Sequence, residues 1–66
     1  MSSTDDNDRL LSRDEVERRF GISKRFLELA VPKRTGPRYV RIGSLVRYTV
    51  KDIRAWIAAN TVEPEQ

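Results

Sequence analysis

The side chains of this 66-residue chain that can do chemistry fall into two cationic groups. Ser23, Lys24, Arg25 and Glu28 stand close together just after Gly21, and Arg38, Arg41 and Arg47 are threaded through an aliphatic and aromatic stretch, with Ser44 among them. Guanidinium and ammonium groups are obligatory donors that pair with anions, so the available chemistry is recognition of negative charge. Other chemistries are poorly supplied. There is no histidine and no cysteine, which removes the commonest general base, the commonest zinc ligand and the thiolate nucleophile. The carboxylates Asp14, Glu15, Glu17, Glu28 and Asp52 are accounted for by helix caps and ion pairs, and so small a body has little room for a ligand pocket of ordinary size. The expectation is a protein that is not an enzyme, with no cofactor, no metal and no small-molecule substrate.

The charge is unevenly placed. Residues 1–9 carry Asp5, Asp6, Asp8 and Arg9, and residues 61–66 carry Glu63 and Glu65, a net −2 at each end. Residues 10–60 hold twelve Lys or Arg against five Asp or Glu, a net +7. A basic body between acidic ends is attracted to polyanions; the alternative is an ordinary solvated basic surface, and the order of elements along the chain decides between them. No apolar run approaches the roughly 18 residues of a membrane span. Met1 to Arg9 has no apolar segment of the signal-peptide kind. These features predict a soluble, cytoplasmic protein with no membrane partner.

The elements that must position these groups are short. Residues 1–9 read as a disordered acidic tail, 10–60 as one folded domain and 61–66 as a flexible tail. Ser12 followed by Glu15 is a capping-box pattern that opens a helix over Arg13 to Phe20, with Val16 and Phe20 on one face and Leu10 or Leu11 packed under its entry. Gly21 stops that helix, and Ser23 caps a second over Lys24 to Val31, whose apolar stripe is Leu27, Ala30 and Val31. Pro32 is expected to end it. Phe26 extends the stripe or meets a ligand, with core packing favoured. Two helices joined around Gly21-Ile22 have the form of a helix-turn-helix.

Arg38 to Ile42 and Leu45 to Tyr48 then read as strands of a hairpin turned at Gly43-Ser44. The alternation predicts an inner face of Val40, Ile42, Val46 and Tyr48, and an outer face and rim carrying Arg38, Arg41 and Arg47. Thr49 caps a last helix whose stripe of Ile53, Trp56 and Ile57 closes the core, with Trp56 inside it and no second aromatic on its face. The fold class is α+β, in the order α–α–β–β–α.

Three stretches then resemble a known family. Leu10-Leu11-Ser12, Glu15-Val16 and Phe20-Gly21-Ile22-Ser23 resemble the opening of small winged helix-turn-helix proteins of the excisionase type. These are related to the DNA-binding part of the MerR family and to AlpA-like phage regulators. Gly36-Pro37-Arg38-Tyr39-Val40-Arg41-Ile42-Gly43 with Val46-Arg47-Tyr48 is the most specific part, and Asp52-Ile53-Arg54-Ala55-Trp56-Ile57 is similar to the closing helix. The likeness spans residues 10–59. Leu45 departs from it, at a wing tip where relatives often carry a polar or basic residue.

The resemblance implies a small winged helix-turn-helix that binds double-stranded DNA. An excisionase, or recombination directionality factor, binds repeated sites beside an attachment site, bends the DNA and helps a tyrosine or serine integrase excise a phage or integrative element. Relatives of this size act instead as transcriptional regulators of prophage or integrase genes. A protein-interaction module such as an antirepressor is a third reading. In the first two, the start of the second helix enters the major groove, so Ser23, Lys24, Arg25 and Glu28 are the candidate base-reading residues. Arg38, Arg41, Ser44 and Arg47 on the wing, with Arg18, Arg19, Lys33 and Arg34 flanking, are candidates for phosphate or minor-groove contact. Arg47 alternatively tethers the wing to Asp52, and Glu28 alternatively pairs with Arg25. A module this small makes an interface of about 600–1,000 Å², so cooperative self-association on DNA is expected, in a bacterial or phage-encoded protein of the nucleoid.

Overall fold

The computed structural model describes residues 9–64. The expected acidic tail therefore lies outside the described residues, apart from Arg9, whose Nη2 pairs with Glu15 Oε2 at 3.2 Å. The elements run β1 (Leu10–Leu11), α1 (Arg13–Phe20), α2 (Lys24–Lys33), β2 (Val40–Ile42), β3 (Leu45–Thr49) and α3 (Val50–Ala59). Three helices thus accompany one antiparallel sheet of order β1-β3-β2, an α+β arrangement.

The helix starts are built as their sequences require. Ser12 accepts from the Glu15 backbone N–H at 3.2 Å while Glu15 Oε1 accepts from the Ser12 N–H at 2.9 Å, a complete capping box. Ser23 and Thr49 cap α2 and α3 by accepting from Phe26 N–H and Asp52 N–H. Gly21 ends α1 at φ 75°, in the left-handed region where a side chain would be strained.

Several expectations change. First, α2 does not stop at Val31: Pro32 lies inside its last turn and the helix reaches Lys33. The ring removes only the hydrogen bond to the Glu28 carbonyl, on an exposed part of the helix where solvent can replace it. The helix ends instead on Arg34 at φ 59°, with Arg34 N–H donating to Val31 O and Thr35 N–H to Ala30 O. These are the two bonds of a Schellman motif. Second, the hairpin is joined by a third strand. Leu10 pairs with Thr49 and Leu11 with Tyr48. A two-residue run carries no readable alternation, so sequence patterning passes over it.

Third, the faces of the hairpin are reassigned. Gly43 has φ 61° and Ser44 does not have a positive φ, as a type II′ turn requires. That turn makes Ile42 face Leu45, Arg41 face Val46 and Val40 face Arg47. Cross-strand partners share a face. Arg41, Val46, Tyr48 and Leu11 therefore lie on the core side, and Val40, Ile42, Leu45, Arg47 and Leu10 on the other. Ile42 and Leu45 are 53% and 52% exposed.

The core is Leu11, Val16, Leu27, Tyr48, Val50 and Ile53, all essentially inaccessible, with Phe20, Ile22 and Val46 packed against it. The stripe of α3 is thus Val50 and Ile53. Trp56 is half-buried rather than central, and Ile57 is exposed. Phe26, expected to pack in the core, is instead exposed on α2, and its ring lies 5.7 Å from that of Trp56. Among the described residues no helix is long and apolar enough to cross a membrane.

Candidate nucleic-acid interface

The short Gly21-Ile22-Ser23 corner sets the start of α2 against α1. Lys24 Nζ reaches Asp14 Oδ1 at 3.3 Å across this junction. Facing them is the tip of the β2–β3 hairpin. β1 covers β3 only at Tyr48 and Thr49, so beyond Leu11 the chain leaves the sheet at the Ser12 cap and uncovers the edge of β3. The result is an open cleft of about 220 Å³ lined by Ser12, Arg13, Asp14, Lys24, Ser44, Leu45, Val46 and Arg47. It joins the first residue of α2 to the turn of the hairpin.

The four candidates Ser23, the N-cap of α2, and Lys24, Arg25 and Glu28 within it are all exposed. Lys24 faces the cleft. The Ser23 oxygen is already accepting its cap bond, which leaves its hydroxyl proton free to donate outward. Arg25 and Glu28 form no ion pair with each other among the described residues, so the alternative of a helix-surface pair is not what is seen.

The hairpin candidates divide. Ser44 and Arg47 line the cleft. Arg47 does not bridge to Asp52; its Nη1 donates to the Val46 carbonyl at 2.9 Å, closing a backbone acceptor on the uncovered sheet edge. Arg41 is exposed on the opposite face, which overturns the expectation of one shared arginine face. Arg38 is exposed and lines a second depression of about 380 Å³ with Arg34 and Tyr39, away from the first. Lys33 and Arg34 are exposed at the end of α2, and Arg18 and Arg19 at the end of α1, where Arg19 lies over the Phe20 ring at 5.7 Å.

Sequence reasoning missed Arg13. It lines the cleft, and its Nε is buried with no hydrogen-bond partner among the described residues. Its position directly after the N-cap was the available signal, since the first residue of a helix lies beside whatever the cap faces.

The electrostatics of the junction are simple. Glu15 is held below its ordinary pKa of 4.5, chiefly by the backbone hydrogen bond from Ser12, with Arg9 and Arg18 adding to the effect against a smaller desolvation. It therefore stays charged in the cap and complements the positive helix start. The cleft itself brings three cations, Arg13, Lys24 and Arg47, together with one carboxylate, Asp14. No family model matches this chain, and no curated protein or solved structure matches it.

Proposed function

We propose that this protein binds duplex DNA in a sequence-specific way as a small winged helix-turn-helix, and works as an excisionase-type factor that bends attachment-site DNA for an integrase. The observation that supports this most is the common cleft of Lys24, at the start of α2, with Ser44 and Arg47, at the hairpin tip. A helix start and a hairpin tip that share one concavity can enter a major groove and the neighbouring minor groove at once. The exposed Arg25 and Glu28 then face base edges, Arg25 matched to guanine acceptors and Glu28 to a cytosine amino group. Arginines on opposite faces of the hairpin suit a wing seated in a groove, because a groove has a phosphate wall on each side.

The test compares Arg25→Ala with Arg41→Ala in gel shifts on an attachment-region site and on random duplex, across a salt series. Arg25→Ala is expected to cost about 1–3 kcal/mol on the specific site and much less on random DNA. Arg41→Ala should weaken both alike and make the salt slope shallower by about one unit. Equal behaviour of the two variants refutes the assignment of helix and wing. A full-length protein that shifts no duplex at low salt refutes DNA binding altogether, and one that binds without bending permuted probes refutes the excisionase role.

A further inference from the structure

We propose that the cleft between the starts of α1 and α2 and the hairpin tip is a phosphate seat, with Arg13 as its base. Its carrier, a backbone phosphodiester of duplex DNA, rests on the function proposed above; the seat itself rests on the cleft. Three cations from three different elements line it, against the single carboxylate of Asp14. That carboxylate is held by Lys24 in a solvent-exposed pair at 3.3 Å, an interaction weak enough to yield to a better anion. Arg13 differs from the other cations. Its Nε is buried without an acceptor, so part of the guanidinium has lost water and gained nothing in exchange, which is costly for a charged donor. Arg13 lines the cleft, and an oxyanion there can take charge-assisted bonds from the remaining donors of its guanidinium.

The backbone adds to this. The Ser12 oxygen satisfies the N–H of Glu15, which leaves the N–H groups of Arg13 and Asp14, at the positive end of α1, without helical acceptors. Arg47 spends one donor on the Val46 carbonyl and retains others. Ser44 brings a hydroxyl from the turn. At about 220 Å³ the space holds a phosphate group and several waters, taking ~30 Å³ for each water.

The experiment uses the whole chain and inorganic phosphate as the probe. Thermal unfolding is followed by circular dichroism for wild type, Arg13→Gln and Ser44→Asp, in phosphate and in chloride of matched ionic strength. Duplex binding of the same proteins is measured across a salt series. Phosphate is expected to raise the wild-type Tm by about 3–6 °C over chloride, and to raise that of either variant by about 1 °C or less. Losing one phosphate contact makes the salt slope of Arg13→Gln shallower by about 0.9. Ser44→Asp changes an exposed turn residue and carries the test if Arg13→Gln does not fold. The same phosphate effect in all three proteins overturns the seat, whatever DNA does. A variant-sensitive melt with an unchanged slope overturns the DNA backbone as the carrier. A variant-sensitive melt in a protein that binds no duplex leaves the seat standing and removes the DNA reading.

Discussion

Alanine at Gly36 should cost more than alanine at Gly21, although both glycines have positive φ, 82° and 75°. At Gly21 a Cβ meets nothing within 4 Å, so the penalty is the left-handed backbone alone, about 1–2 kcal/mol. At Gly36 the same atom falls 2.9 Å from the Ala30 Cβ and 4.0 Å from Phe26 Cε2. Ala30 is buried on α2 and its Cβ is fixed to the helix backbone, so it cannot rotate away. Overpacking of this kind adds about 1–3 kcal/mol, for a total of about 2–5 kcal/mol. A chain of this size rarely holds more than about 3–5 kcal/mol, so Gly36→Ala should lie near its unfolding midpoint in buffer while Gly21→Ala stays folded. Urea unfolding followed by Trp56, the single tryptophan, measures both. Ala30→Gly supplies the second arm. Alone it costs about 1 kcal/mol as a helix-interior glycine, but combined with Gly36→Ala it removes the clash and should show a favourable coupling of about 1–3 kcal/mol. The reasoning is refuted if Gly36→Ala falls within about 0.5 kcal/mol of Gly21→Ala and the double-mutant cycle shows no coupling.

Leu11→Ala, at a fully buried position on the small strand β1, should lose about 2–5 kcal/mol in the same urea assay, and Leu10→Ala, two-fifths exposed beside it, should lose far less. The Glu15 cap predicts a pH dependence. Because the folded state lowers its pKa below 4.5, its contribution is fully present above the unfolded value and is lost as pH falls through the depressed one. Glu15→Gln should therefore be less stable than wild type at neutral pH, with a gap that narrows below about pH 4.5; a gap independent of pH between 3 and 7 contradicts the assignment.

The helix boundaries were legible wherever a side chain makes the boundary. Ser12, Glu15, Ser23, Thr49 and Gly21 each act through one local hydrogen bond or one backbone angle, and each does in the fold what its type predicts. Pro32 misled because a proline excludes only one intrahelical bond, and where the orphaned carbonyl is exposed the helix can continue. Leu10–Leu11 was illegible as a strand because its partner is more than thirty residues away and two residues hold no period. Trp56 was placed too deep because a stripe shows which residues share a face, not how much of that face another element covers. Phe26, from α2, is its partner, and nothing in the sequence of α3 announces it. The cleft was half legible. Lys24, Ser44 and Arg47 belonged to the expected site, but Arg13 came to it only through the meeting of cap, helix start and sheet edge.

The hairpin faces were determined by information that was already readable. A two-residue turn at Gly43-Ser44 makes Ile42 and Leu45 partners, and partners share a face, so Ile42 cannot lie on the side of Val46 and Tyr48. Alternation within each strand is satisfied by either assignment; only the turn couples the two strands. The consequence reaches the site. Buried Tyr48 anchors one face to the core, and parity then sends Arg41 to that side and Arg47, with Ile42 and Leu45, to the other. The cations of this hairpin are therefore arranged around a finger rather than along a plane. A flat polyanionic surface can engage only one side of such a finger, whereas a groove engages both. The same two-residue turn thus keeps the hairpin narrow, and under the DNA-binding reading proposed above it is what would let cations meet both walls of a groove.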